Sequence, residues 1–481
     1  LGDVYNPAPR ETTHERIFFP EAMIRRFINK VFGNTSRSKA AAGPRILPLA
    51  AHGIKREQIH PCALKTTRAL KEAGFSAFVV GGAVRDLLLG REPKDFDVAT
   101  NALPEQVRQV FRRSRLIGRR FQIVHVYCGA DTIEVTTYRA ASAEKEVESD
   151  EEDDSRVTAA DGMLLRDNVF GSQAEDAERR DFTVNALYYD PETEEVWEWH
   201  GGVEDARKKV LRIIGDPVQR FREDPVRMLR AARFAAKLDF HIDPATRAPI
   251  AELASMLERI PSARLFDEMM KLLLSGHAER GVRQLRAEGL HHGILPMLDA
   301  ILDDANRQKF LHAALHDTDE RVREGHSASP AFMLACLLWF DMEAEWRRNQ
   351  AAGQSDQAAL YDAMDAVLER QRDALAFPRR FDGTIKEIWS LQSRFEQRSG
   401  ARPFRLLSHP RFRAGYDFLL IRAKGGDAAQ ELADWWTRFP DASDSEREAM
   451  LIKPQPGTAK PKRRRSRRKP GGEAAIEVKL G

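Results

Sequence analysis

Asp95 and Asp97 stand one residue apart, shortly after the glycine pair Gly81 and Gly82 and the arginine Arg85, in the stretch FVVGGAVRDLLLGREPKDFDVAT. If DFDVAT is a strand, its side chains alternate. The two carboxylates then share one face, while Phe96 points to the other, toward a core. Adjacent carboxylates repel unless a cation lies between them, and hard divalent ions such as Mg²⁺ favour oxygen ligands of this kind. Gly81 and Gly82, between a strand and a helix, would let backbone amides approach a phosphate, with Arg85 one turn into the helix. Each feature alone is an ordinary turn. Their order along the chain is what points to metal-assisted chemistry on a phosphate. A third carboxylate is available at Glu134, mid-strand between Ile133 and Val135 and facing away from both. Metal or catalytic work and a plain salt bridge with Arg139 both remain open for it.

The elements needed to position these groups are legible around them. ALKTTRALKEAG reads as a helix closing on Gly74, FSAFVV as a buried strand and AVRDLLLG as a helix. PEQVRQVFRR continues as a helix, and FQIVHVYC and DTIEVTTYRA as strands. This is a small mixed α/β unit. GMLLRDNVFGSQAEDAERRDFTVNALYYD then reads as a helix ending in a strand-like segment. After about residue 215 the β character disappears and amphipathic helices run to about 440, with breaks at Pro261, Pro296, Pro330 and Pro378. Residues 1–58 lack sustained periodicity and are read as an extension, although 18–33 could form a basic amphipathic helix.

At 481 residues the chain calls for two or three domains, and its 42% hydrophobic content can supply their cores. A formal net charge of +3 hides a segregation. EKEVESDEEDD at 144–154 is almost entirely acidic, and KPKRRRSRRK at 460–469 almost entirely basic, as in disordered interaction segments. Cys62, Cys128 and Cys336 have no CxxC pairing, which argues against a disulfide scaffold or a cysteine-rich zinc site and fits a reducing cytosol. The longest apolar run, AFMLACLLWF, is about half a membrane span.

Two further motifs carry chemistry. In ERRDFTVNAL, Asp181 and Asn185 would face the same way on a helix. In EDPVRMLRAARF, Met228, Ala231, Ala235 and Leu238 form an apolar stripe, leaving Asp224, Arg227 and Arg230 on another side. A carboxylate accepts from an exocyclic amine and a guanidinium donates to a ring nitrogen. Asp224 with Arg227 could therefore read adenine, and equally cytosine. Ordinary ion-paired helices would account for either motif on its own.

GGAVRDLLLG, KDFDV, RRDFTVNALYY and REDPVRMLRAARFAAKL together resemble the class II nucleotidyltransferases, which comprise bacterial poly(A) polymerases and tRNA CCA-adding enzymes. LIGRRFQIVHV, LLSHPRFRAGYDFLLIRA and the basic tail are similar to the poly(A) polymerase branch. The resemblance implies an α+β chain. A polymerase-β-like head (59–215, with the acidic insertion at 144–160) is followed by a helical neck (216–275) that recognises the base. A helical RNA-binding body (276–440) and a disordered basic tail (441–481) complete it.

By the same resemblance, Asp95 and Asp97 bind Mg²⁺, with two ions expected, and Asp181 joins them as a catalytic carboxylate. Gly82 and Arg85 hold the triphosphate of ATP, Arg180 contacts the nucleotide and Asn185 the ribose, while Asp224, Arg227 and Arg230 serve the base. Lys462, Arg463, Arg464, Arg465, Arg467 and Arg468 would bind RNA phosphates regardless of sequence. The implied activity is template-independent addition of AMP to RNA 3′ ends with release of pyrophosphate, in RNA processing and decay. The expected protein is a cytoplasmic monomer without stable membrane insertion, with RNA-decay proteins as candidate partners. CCA addition to tRNA is the nearest alternative, and a non-catalytic RNA-binding protein the alternative of another class.

Overall fold

The computed structural model describes residues 43–118, 122–140, 156–158, 164–167, 169–291 and 304–452. The acidic run, the amphipathic stretch at 18–33 and the tail residues from Lys462 to Arg468 lie outside them.

The head is built on eight strands: β1 (Arg45–Leu47), β2 (Ala77–Val80), β3 (Asp97–Thr100), β4 (Ser114–Ile117), β5 (Ile123–Cys128), β6 (Asp131–Thr137), β7 (Leu187–Asp190) and β8 (Glu195–Glu198). They form one mixed sheet in the order β1-β8-β7-β2-β3-β6-β5-β4. Every neighbouring pair is antiparallel except β3 and β6, which run parallel. The central position of β2 follows from its sequence: AFVV is apolar throughout, and all four residues are buried. β6 alternates instead, with Ile133 and Val135 buried and Glu134 exposed. Helix α1 (Pro61–Glu72) starts on a His60 cap, with proline at its first position, and buries Cys62, Ala63, Thr66, Thr67 and Leu70. Between β2 and α2 (Gly82–Leu88) the backbone turns at Gly81 with φ of 70°, which a side chain would strain.

Beyond the head, α6 (Pro217–Glu223), α7 (Val226–Leu238) and α8 (Ser262–Leu273) make the neck. The apolar stripe expected on α7 is there, with Met228, Ala231, Ala235 and Leu238 all buried. One contiguous core runs from Phe182 in the head through this stripe to Trp339, Trp389 and Phe418 in the helical body. A second aromatic cluster, built on Phe395, Trp435, Trp436 and Phe439, closes the C-terminal end. Among the described residues, no helix is long and apolar enough to cross a membrane.

The structure departs from the sequence reading at several points, and Leu164–Asp167, read as part of a helix, is a strand paired with Arg156–Thr158. The supposed extension does not reach residue 58, because β1 pairs with β8 and Leu47, Ile54 and Ile59 enter the head core. The strand expected to start at Asp95 starts at Asp97, leaving Asp95 in the loop before it. The region read as wholly helical contains a strand, His241–Ile242, paired in parallel with Val210–Leu211. Finally, Cys62 and Cys128 are joined as a disulfide with Cα atoms 5.9 Å apart, whereas spacing alone suggested no pairing. Cys336 is a buried free thiol.

Gly202 opens helix α5 (Gly202–Arg207) directly against the carbonyl of Thr183, in the turn that carries the second motif. Gly202→Ala drives a methyl group into that backbone. It should lower stability by about 1–3 kcal/mol, read as a lower urea midpoint.

Candidate active site

The parallel register of β3 on β6 sets Asp97 opposite Glu134. Asp97 is partly buried, Asp95 is exposed in the loop before it, and Glu134 stands on the open face of β6. Among the described residues, no side chain donates a hydrogen bond to Asp95 or Asp97. The Asp97 carboxyl is pushed up to about 6, first by burial, then by Glu134 and more weakly by Asp95, while Arg180 pulls it down. Glu134 has a neighbour that the sequence reading did not consider. His125, its partner across β5, lies 3.3 Å away through Nε2, so the salt bridge weighed with Arg139 is not the one formed. Crowded carboxylates of this kind suit a divalent cation, and the residues present fit Mg²⁺.

Beside the carboxylates is a cavity of about 320 Å³ lined by Thr136, Arg139, Arg179, Arg180, Asp176 and Ile123. Arg180 crosses its floor, donating through Nε to the Tyr188 hydroxyl (3.0 Å), through Nη2 to Asp176 (3.2 Å) and through Nη1 to the Asn185 carbonyl (3.2 Å). A Cβ on Gly81 would sit 3.3 Å from Nη1 of Arg180, so the bare glycine backbone leaves room for this guanidinium. The sequence reading missed Arg139 and Arg179 as lining residues. The spacing of Asp176 and Arg180, four residues apart, was the available sign of a supporting pair.

Arg85, expected to hold a triphosphate, is turned inward. It is buried, donates through Nη1 to Asn185 Oδ1 (2.6 Å) and through Nε to Asp86 (2.8 Å), and lies over the Phe234 ring. The Gly81 amide donates to the Leu187 carbonyl (3.1 Å), so it belongs to the sheet.

Asp181 and Asn185 are not on a helix. α4 (Gln173–Arg179) ends before Asp181, and a single 3₁₀ turn, Thr183–Asn185, follows. The two side chains still meet, with Asn185 Nδ2 donating to Asp181 Oδ1 (2.9 Å). The same oxygen accepts from the Phe182 amide (2.8 Å), and Arg230 donates to Oδ2 through Nε (2.8 Å) and Nη2 (2.7 Å). Burial by itself would raise this carboxyl, but Arg230 and these hydrogen bonds hold it well below the usual range. Both oxygens are engaged, so the contacts of Asp181 are those of a brace rather than an open metal ligand.

Asp224, Arg227 and Arg230 were expected together, but each has partners of its own. Arg230 is taken up by Asp181 and by Glu268 (3.5 Å), which also binds Arg233 (3.1 Å) and Lys271 (3.0 Å). Arg227 donates to Glu223 (3.0 Å) and to the Arg220 carbonyl (2.8 Å). Asp224, just ahead of α7, accepts from Arg264 on α8 (3.1 Å) through Oδ2, while its Oδ1 is buried with no donor among the described residues. Arg264 and Glu268, one turn apart on α8, were not singled out from the sequence, where they read as an ordinary charged helix face.

A mixed sheet with a glycine turn carries clustered carboxylates beside an arginine-lined recess, mounted on a helical neck, an arrangement suited to metal-assisted chemistry on a phosphate. The comparisons narrow this. Residues 77–212 match the model of the Poly A polymerase head domain, 239–302 that of the probable RNA and SrmB-binding site of polymerase A, and 352–470 that of the polymerase A arginine-rich C-terminus. Poly(A) polymerase I of Salmonella typhimurium is 43% identical over 92% of this chain and 96% of its own. That of Haemophilus influenzae is 43% identical over 87% and 93%. The CCA-adding enzyme of Bacillus stearothermophilus, solved in complex with CTP, superposes with a TM-score of 0.54 at 28% identity, covering 79% of this chain and 82% of that one. The chain belongs to the bacterial poly(A) polymerase family and, with it, to the polynucleotide adenylyltransferases.

Two outcomes follow from the charges. Asp97 is protonated in the folded state up to about pH 6, against an ordinary 3.8, so ionising it costs stability as pH rises between these values. Without divalent metal, Asp97→Asn should therefore melt above the parent at pH 8, and the gap should close as pH falls toward 4. Arg230→Met strands a buried carboxylate at Asp181 and should cost about 3 kcal/mol in denaturant unfolding, part of which Asp181→Asn in the same chain recovers.

Proposed function

We propose that the protein adds AMP from ATP to RNA 3′ ends without a template, releasing pyrophosphate. The observation that carries this reading is the crowded group of Asp95, Asp97 and Glu134 beside a recess lined by three arginines. Asp95 and Asp97, with Glu134 adjacent, would hold two Mg²⁺ ions. When bound, such ions ease ionisation of an RNA 3′-hydroxyl and neutralise the charge gathering on the departing pyrophosphate. Arg180, with Arg139 and Arg179 around the recess, orients the triphosphate so that the α-phosphorus faces that hydroxyl in line. Gly81 leaves room for the Arg180 guanidinium. Asp181 acts through Arg230 and Asn185, holding the neck in register with the head.

The neck supports selection of a base that bears an exocyclic amine. The buried Oδ1 of Asp224, with Oδ2 fixed by Arg264, is an acceptor awaiting a donor, and leaving it empty is costly. Arg227, steadied by Glu223, would supply the complementary donor to a ring nitrogen. Adenine and cytosine both fit this description, so CCA addition is kept as the second reading, favoured by the likeness to a CCA-adding enzyme. The helical body would guide RNA to the head, and the basic residues from Lys462 to Arg468 would hold its phosphates with salt-sensitive affinity.

The test is incorporation on an unstructured oligomer and on a tRNA lacking its 3′ end, with ATP, CTP or both and Mg²⁺. Long A-only extension of the oligomer is expected. Addition confined to the tRNA and requiring CTP would replace this reading with CCA addition, and RNA binding without incorporation would make the chain a silent binder. Asp95→Ala and Asp97→Ala should each abolish turnover and leave RNA binding intact. At subsaturating Mg²⁺ the rate should climb as pH rises through about 6, where Asp97 ionises.

A further inference from the structure

On the head, where the start of α1 meets the β5–β6 hairpin, four side chains of metal-ligating type converge. His60 and Cys62 come from the helix start, and Cys128 and Asp131 from the two sides of the hairpin turn. Ligand atoms of His60, Cys62 and Asp131 all lie within 4.8 Å of one another. Cys62 Sγ is 3.9 Å from Asp131 Oδ2, and His60 Nε2 is 3.8 Å from the same oxygen. The sulfur of Cys128 completes the group through its bond to Cys62. None of these residues has a part in nucleotide transfer as derived above.

We propose that His60, Cys62, Cys128 and Asp131 form a site for a zinc-class divalent cation in the reduced protein. The linear pattern supports this. His60-x-Cys62 and Cys128-x-x-Asp131 are two close ligand pairs, and the second spans a tight turn with Gly129 at φ of 70°, the kind of spacing by which structural zinc sites gather four ligands. A disulfide requires only the two cysteines. Beside it an imidazole and a carboxylate, 38% and 57% exposed, place their ligand atoms within 4.8 Å of Cys62 Sγ and of each other. The Cys62 amide donates to His60 Nδ1 (3.3 Å), and ligation through Nε2 would place the ring proton on Nδ1, exchanging this cap bond for the metal bond.

The disulfide and the metal are mutually exclusive uses of the same sulfurs. A dithiol reductant supplies two electrons and two protons, the Cys62–Cys128 bond opens to two thiols and the reductant closes to its own disulfide. Zinc binding then displaces the thiol protons to solvent. The cation would clamp α1 to the hairpin whose strands carry His125 and Glu134, so it would stiffen one wall of the carboxylate cluster.

The full chain, reduced and equilibrated with Co²⁺ in excess Mg²⁺, should develop a thiolate-to-cobalt charge-transfer band, which a cation held by carboxylates at Asp95 and Asp97 cannot give. Zinc should bleach that band at one equivalent per chain, and the oxidised chain should lack it. Cys128→Ser should abolish or weaken the band. Asp131→Asn, at an exposed position that leaves folding undisturbed, should weaken zinc affinity by at least about tenfold. Absence of the band in the reduced chain, or a band equally strong in Cys128→Ser and Asp131→Asn, overturns the proposal and leaves the pair as a plain disulfide.

Discussion

A buried carboxylate needs a cation, and the way Asp181 obtains one organises the catalytic half of the molecule. Arg230 reaches it from the neck, and the same guanidinium continues to Glu268 on the next helix, so charges of alternating sign compensate one another where water is scarce. On the head side the chain extends through Asn185, which donates to Asp181 and accepts from Arg85. Arg85 belongs to the helix that follows the glycine turn. The glycine turn, the segment around Asp181 and the neck are thus one hydrogen-bonded frame, and three motifs that are separate in sequence are mechanically continuous.

Within that frame the protein treats its carboxylates in two ways. Asp181 and Glu268 are surrounded by donors, and their proton affinity is held down. Asp97 has a carboxylate opposite and another nearby, and its proton affinity is raised. The first pair stabilises the fold through contacts already made. The second group carries the cost of burial and repulsion, which a proton or a cation from outside relieves. Arg180 acts on the second group, and Arg230 joins the two carboxylates of the first.

Much of this was legible in the sequence because periodicity and turn chemistry are local. The burial of AFVV, the outward face of Glu134 between Ile133 and Val135 and the apolar stripe of α7 follow from alternation or helical spacing. What was hidden depends on contacts between distant segments. Spacing by threes placed Arg230 with Asp224 and Arg227, but Asp224 precedes the helix, and Arg230 is drawn away by a carboxylate forty-nine residues upstream. Arg85 looks like a phosphate ligand until Asn185 is seen to accept from it. A three-residue edge strand such as Arg45–Leu47 has no periodicity to detect, and it exists because β8 offers a free edge. Cys62 and Cys128 meet across a separation of 66 residues that no local pattern records.

The parallel pairing of β3 with β6 has a bearing on how the molecule comes into being. It is the one parallel contact in the eight-stranded sheet, and α3 (Pro104–Val110), β4 and β5 must all be threaded between its strands. Loop closure of that kind is slow to be found, whereas the β5–β6 hairpin can form locally. Glu134 would then already stand on a preformed ribbon when Asp97 arrives. The mutual repulsion of Asp97 and Glu134 arises only in the step that sets β3 beside β6. An order of assembly in which the electrostatic cost comes last lets a nascent chain carry a strained centre without the strain obstructing its earlier folding.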